Sequence, residues 1–322
     1  MIRCYTGPRL AGVFLLILTV LLLGGCAGTP QSDRLLDAPP ADISPASDLN
    51  EVPFHPQEAY QCGPASLAML ANWQGVDITP QELTPKLYIP GKQGSLQIEL
   101  LSNTRQLGLI PYVLKPELDD LLREVEAGNP VLVFQNLALE WYPRWHYAVL
   151  VGYDLQQDEI ILRSGTDRRR INTLAQFERT WQRADRWAML ALRPGQMPAT
   201  VEYWRYLQAL SAMEQVNRHT QAQAGYQAGL QQWPNDTRLL MGLANSQHAG
   251  GQTAAAIATL EQTIHHHPDY APAHNNLAHL YLQSGRSSRA EQHARRAVSL
   301  GGEHLEAYRQ TLSEIRQQRQ SE

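Results

Sequence analysis

The chain has no block of basic residues, and its formal net charge is −4 over 322 residues. Nothing in it supplies the positive stripe that a phosphate backbone requires, so nucleic acid is excluded as a partner. Charged residues make up only 18%, and hydrophobic residues 43%, which excludes a disordered, self-repelling chain and fits ordinary globular domains. The apolar run Ala11–Leu23 falls short of the roughly 20 residues of a membrane-spanning helix. It follows Arg3 and Arg9 and has the length of a secretory signal core. Cysteine is scarce, with Cys4, Cys26 and Cys62 only.

The four residues Leu23-Gly24-Gly25-Cys26 resemble the lipobox of bacterial lipoproteins, in which cleavage before the cysteine leaves it as a lipidated first residue. That resemblance implies a signal over 1–25 and lipidation at Cys26, followed by a lipidated tether over 26–50 rich in Pro, Ser, Asp and Ala. It implies attachment to the bilayer through acylated Cys26. Ala27 in place of aspartate points to the outer membrane, facing the periplasm. Cys62 is then the one free thiol of the mature chain, and an intramolecular disulfide is excluded.

Residues 51–195 read as α+β. Helical spacing covers 64–73, with Gly75 beyond its end, and Thr79-Pro80 with Glu82 forms a capping box for the next helix. Further helices are expected over 95–107 and 118–127, each closed by a glycine. Val131–Phe134 is a short apolar strand, Tyr147–Tyr153 and Glu159–Leu162 read as a hairpin, and Trp187–Leu192 is a last strand. Helices first and strands later argue against a doubly wound sheet.

From residue 200 to 322 the chain turns helical throughout, and matching residues recur at an interval of 34: Ala222, Ala256 and Ala290; Pro234 and Pro268; Gly251 and Gly285. This period resembles the tetratricopeptide repeat, with copies over 203–236, 237–270 and 271–304 and a polar capping helix over 303–319. Such an array implies a protein partner.

The chemistry concentrates in two stretches. Cys62 lies immediately before an expected helix, where free amides and the helix dipole favour a thiolate. His146 opens the apolar strand after Trp145 and is the candidate general base. The segments Gln57, Gln61-Cys62-Gly63-Pro64-Ala65-Ser66 and His146-Tyr147-Ala148-Val149 resemble the papain-like cysteine peptidases, and within them the bacteriocin-leader-processing (double-glycine) branch. The resemblance implies that Gln57 donates to the oxyanion, with Gln61 as a weaker substitute. The family's Asp-Pro after the histidine strand is missing. A hairpin centred on Leu155 sets Ser164 opposite His146, and one centred on Gln156 sets Thr166 there. Ser164 is the candidate orienting residue, with Asp167 and Asn136 as alternatives.

No cofactor and no metal are expected. His265, His266 and His267 are consecutive and cannot share one helical face, and His55 reads as structural. Trp141, Trp145, Trp181 and Trp187 divide between a groove lining and core packing. The expected fold is an α+β papain-like domain followed by an all-α repeat domain. The leading functional expectation is a thiol peptidase acting on a peptide or protein substrate in the envelope. The alternative is a non-catalytic lipoprotein scaffold in which the repeats and a degenerate peptidase-like domain bind partner proteins. Amide cross-linking by the same cysteine is a third reading.

Overall fold

The computed structural model describes residues 28–57, 61–92 and 94–321; the expected signal, Cys4 and the lipidation residue Cys26 lie outside them. The first helix of the candidate site, α2 (Cys62–Trp73), is apolar on nearly every side, with Ser66 and Asn72 as its polar side chains, and Gly63 through Ala71 are all buried. A helix apolar all round must be enclosed. One side of α2 meets α3 (Pro80–Leu87) and α4 (Gln97–Gln106), and another lies on a sheet. The capping box at Thr79 is present, with Glu82 N–H donating to Thr79 Oγ1 and Thr79 N–H to Glu82.

All strand pairs are antiparallel. Along the sheet the order is β2 (Ile110–Val113), β7 (Ala188–Leu192), β3 (Val131–Asn136), β4 (Trp145–Asp154), β5 (Glu159–Ser164) and β6 (Asp167–Asn172). Alternation divides the side chains of β4 between two cores. Tyr147, Val149 and Val151 face α2, whereas Ala148 and Leu150 join the core with α5 (Leu118–Glu126) and α6 (Leu174–Gln182). Helix α6 was not expected from the sequence, although Thr173 and Gln176 form a capping box at its start. Strands β1 (Ala46–Asp48), β2 and β6 are likewise additions to the expected set.

The expected tether is corrected from Pro30 onward. Residues Pro30–Asp37 form helix α1, with Ser32 and Leu35 buried. The buried Glu178 carboxylate accepts from Ser32 N–H and Ser32 Oγ, both at 2.7 Å, and from Gln31 N–H at 3.3 Å. Strand β1 then pairs with the end of β4 where β3 stops, Asp48 opposite Gly152. A Cβ at Gly152 would lie 2.7 Å from the Ser47 carbonyl oxygen, so only glycine admits β1 there. A Pro/Ser/Asp-rich composition reads as a linker, but hydrogen bonds to a distant carboxylate hold this one in place.

Helices α7 (Tyr203–Gln215), α8 (His219–Gln232), α9 (Thr237–Ala249), α10 (Thr253–His266), α11 (Ala271–Gln283), α12 (Ser287–Leu300) and α13 (Leu305–Ser321) form three pairs and a terminal helix at the expected period. Gly251 and Gly285 take positive φ (78° and 70°) between the helices of their pairs; one interval earlier, Asn217 takes the same conformation at 59°. The first pair does not belong to the array alone. Tyr206, Leu210, Met213, Ala222 and Tyr226 lie in one core with Ile110, Tyr112 and Leu192 of the sheet. Gly225 makes this approach possible, since a Cβ there would fall 2.2 Å from Leu210 Cδ2 and 3.4 Å from Ile110 Cδ1.

Candidate active site and partner surfaces

Cys62 is the first residue of α2, and its half-buried thiol packs beside the core that contains Tyr147. A helix start favours a thiolate, but burial has the larger effect here and pushes the Cys62 thiol up. The backbone amides of Tyr147, Gly63 and Cys62 itself pull it the other way. The expectation of a depressed thiol is therefore corrected. Gly63 is required by packing, because a Cβ on it would stand 2.5 Å from Ser95 Oγ. That hydroxyl is buried without a hydrogen-bond partner, and no sequence signal marked it.

His146 stands at the open end of β4, opposite Gln135 of β3. Its Nε2 lies 2.8 Å from Ser164 Oγ, a hydrogen bond whose direction follows the tautomer. Next to the turn Asp154 opposes Glu159, and past a bulge between Leu150 and Gly152 the β4–β5 register is the one centred on Gln156, with Leu150 opposite Leu162 and Val149 opposite Arg163. That register carries Ser164 past direct opposition, and the contact is made diagonally on one face of the sheet. Burial, then the positive charges of Arg170 and Arg144, bring His146 down to about 4. Both members of the candidate pair are thus neutral near pH 7. Among the described residues no hydrogen bond joins the Cys62 thiol to His146; from β4 it is the Tyr147 backbone amide that acts on the sulfur.

Gln57 is buried and fully engaged. Its Oε1 accepts from Gly165 N–H at 3.0 Å, and its Nε2 donates to Ser66 Oγ at 3.3 Å and to the Tyr147 carbonyl at 3.4 Å. It ties α2, β4 and the turn after Ser164 together, and its amide faces those partners. Asn136 does not orient His146. Its Oδ1 accepts from Ala138 and Arg144 N–H at 3.1 and 2.9 Å, and its Nδ2 donates to the Leu139 carbonyl, so it organises the β3–β4 loop. Asp167 is exposed, with Arg170 3.8 Å away. Gln61 is the N-cap residue of α2, without a side-chain cap bond.

The tryptophans divide sharply. Trp181 is fully buried, whereas Trp141 and Trp145 are 80% and 52% exposed. His55 Nε2 lies 2.7 Å from Asn72 Oδ1, a contact that packs the entry segment on α2. His267 bonds the Asn235 carbonyl between repeats. No group of three His, Cys, Asp or Glu residues among those described could hold a metal ion, and no helix among them is long and apolar enough to cross a membrane. In the array, Asn245 and His248 of α9 and Asn276, His279 and Gln283 of α11 line a cleft of about 230 Å³. The Asn276 side chain donates to Asn245 Oδ1 at 3.2 Å.

Comparison with known proteins divides the chain as its architecture does. Residues 49–189 match the model of the Peptidase_C39 like family, and residues 206–260 and 247–315 match two tetratricopeptide repeat models. No curated protein matches. Among solved structures, the chain is similar to a protein described as a C39-like peptidase from Bacillus anthracis. Identity is 19%, covering 46% of this chain and 98% of that one, at a TM-score of 0.39. The repeats are similar to the type III secretion translocator chaperone SycD of Yersinia enterocolitica, at 20% identity over 38% of this chain and 92% of that one, with a TM-score of 0.35. They are also similar to PcrH of Pseudomonas aeruginosa bound to the chaperone-binding region of PopD, at 17% identity over 36% and 92%, with a TM-score of 0.34.

Proposed function

We propose that this chain, a C39-like peptidase domain fused to tetratricopeptide repeats, acts as a protein-binding scaffold in which both parts hold partner polypeptides. The observation that carries this reading is the state of the candidate pair. The thiol is raised, the imidazole is lowered, and neither bonds the other. A general base must lie within hydrogen-bond reach of the proton it removes. The amide-rich cleft between α9 and α11 supports the same reading for the repeats, since Asn and His side chains can pair with a peptide backbone.

Thiol peptidase activity is the second reading, and one contact favours it. With Nε2 on Ser164, His146 keeps Nδ1 free to receive a proton from Cys62 at the start of α2. Apo sites of this kind often tighten only around substrate. Alkylation decides between the two. On the scaffold reading, iodoacetamide labels Cys62 with a midpoint above the ordinary thiol value of about 8.5, and His146→Ala leaves that midpoint unmoved. A midpoint well below 8.5 that rises in His146→Ala would make the pair catalytic and replace the scaffold reading with the peptidase. Attachment to the outer membrane through acylated Cys26, facing the periplasm, completes the proposal; its support is the lipobox-like Leu23–Cys26.

A further inference from the structure

Two histidines of the third helical pair meet inside the array. His274, in the first turn of α11, is 5% exposed, and His293 of α12 is half-buried beside it. Their Nδ1 atoms are 3.0 Å apart, and the rings lie 28° from coplanar with centroids 5.3 Å apart. Rings so placed meet edge to edge through their nitrogens, with room for one hydrogen between them. On its other side His274 Nε2 lies 3.0 Å from the Pro268 carbonyl oxygen, in the turn between α10 and α11. One buried imidazole thus joins both helices of the pair to the turn that opens it.

A carbonyl oxygen only accepts, so His274 Nε2 carries a hydrogen, and in the neutral ring its Nδ1 is then bare. His293 Nδ1 must therefore donate, which leaves His293 Nε2 bare. The hydrogen-bond network fixes both tautomers in this way. A first added proton goes to His293 Nε2, and the Nδ1–H···Nδ1 bond survives with a charged donor, the stronger kind. A second has only His274 Nδ1 left, where it would face the His293 Nδ1–H across 3.0 Å. Two hydrogens then collide, two positive charges adjoin, and the rings must part.

Burial is the main effect that holds both imidazoles below the ordinary histidine value. At His274 the Pro268 carbonyl favours the proton, Arg296 of α12 opposes it, and Asp269 favours it. At His293 the neighbouring His274 opposes the proton, Glu261 of α10 favours it, and Arg289 opposes it. Tyr281 of α11 lies 5.6 Å from the His293 ring and donates to Glu261, and Tyr308 of α13 packs with Ala271 and Ala297. We propose that His274 and His293 are a proton-counting latch on the third helical pair, which holds α11, α12 and the Pro268 turn together with no added proton or with one, and releases them on the second. Helix α11 also supplies Asn276, His279 and Gln283 to the cleft against α9, so release loosens one wall of that cleft.

The test uses the full-length chain in detergent, with its histidines labelled with nitrogen-15 for magnetic resonance. At neutral pH a scalar coupling across an N–H···N hydrogen bond should join two imidazoles, the donor in its Nδ1–H form and the acceptor in its Nε2–H form. This readout needs no variant, because among the described residues His274 and His293 alone bond ring nitrogen to ring nitrogen. On acidification the donor ring should titrate first and keep the coupling, which should vanish with the second step. Across that second step the amide protection of α11 and α12, corrected for intrinsic exchange, should fall by about tenfold or more while α8 and α9 keep theirs. His293→Gln should remove the step, since a glutamine amide can turn its oxygen toward a protonated His274. No coupling at neutral pH, or two rings that titrate independently, would overturn the proposal. So would protection that falls equally in His293→Gln or equally throughout the array. Titration of His146 is read separately, from the protection of β4.

Discussion

Replacing Glu124 with alanine should uncouple the two parts of the chain. Glu124 lies on α5, wholly buried, yet its carboxylate reaches the segment that leads into the repeats. It accepts from Thr200 N–H and Thr200 Oγ1, both at 2.7 Å, from Ala199 N–H at 3.1 Å and from Asn129 Nδ2 at 2.7 Å. Just beyond, Glu202 N–H donates to Tyr112 Oη on β2 at 2.8 Å, so the chain is fastened to the sheet immediately before α7 begins. Truncation removes the acceptor and leaves those donors buried. Each unsatisfied donor costs about 1–3 kcal/mol, and water entering the vacated space recovers part of that. The expected loss is about 3–5 kcal/mol, a large share of the roughly 5–15 kcal/mol that holds a domain folded. Glu124→Gln keeps the shape and one oxygen acceptor but turns an amide N–H₂ toward donors, so it should cost about 2 kcal/mol. Urea unfolding of the full chain, followed by circular dichroism and by tryptophan emission, measures both. Wild type should unfold with the two signals coincident, because α7, α8 and the sheet share one core. In Glu124→Ala the signals should separate. A loss below about 1 kcal/mol, with the signals still coincident, would refute the assignment of Glu124 as the clamp between the parts.

Three further predictions follow from the same contacts. A buried histidine lowered to about 4 releases its proton on folding, so the unfolded chain binds more protons than the folded one as pH falls below about 6.5. His146 should therefore cost stability between about pH 6.5 and 4, on the order of 3 kcal/mol in all, and His146→Gln should flatten the urea midpoint over that interval relative to wild type. Gly225→Ala should lower stability by about 1–3 kcal/mol in thermal unfolding, because its Cβ would strike Leu210 where α8 crosses the sheet; an unchanged transition would mean that this contact relaxes freely. In a Gram-negative host, Cys26→Ala should abolish incorporation of an alkyne fatty acid into the full-length chain, and label persisting on the variant would remove the lipoprotein reading.

Local chemistry made several elements legible without a structure. Thr79-Pro80 with Glu82 announced α3, and the 34-residue recurrence of Ala222, Ala256 and Ala290 announced the helical pairs. The same logic missed α6, although Thr173 and Gln176 cap it in the same way, because its apolar positions Leu174, Phe177 and Trp181 are spread thinly over a short segment. Strand β6, Asp167–Asn172, could not be read from an apolar alternation, since it is an exposed, largely charged edge held by pairing with β5, by the Arg163 side chain on the Arg168 carbonyl and by the Arg169–Asp48 ion pair. Residues 30–50 failed as a tether for a similar reason. Their order depends on Glu178 and on the free edge of β4, which are remote in sequence.

At the candidate site the division falls between identity and circumstance. The sequence alone determined that Cys62 opens a helix, that His146 opens a strand, and that two different architectures follow one another, because helix starts, strand periods and repeats are written in neighbouring residues. Tertiary structure alone decided that burial outweighs the helix start at Cys62, that Ser164 bonds His146 across a shifted register, that Asn136 serves the loop, and that the first repeat completes the core of the preceding domain. Solvent exclusion and hydrogen-bond partnership are properties of what surrounds a group, and those surroundings come from residues as distant as Ser32 and Glu178.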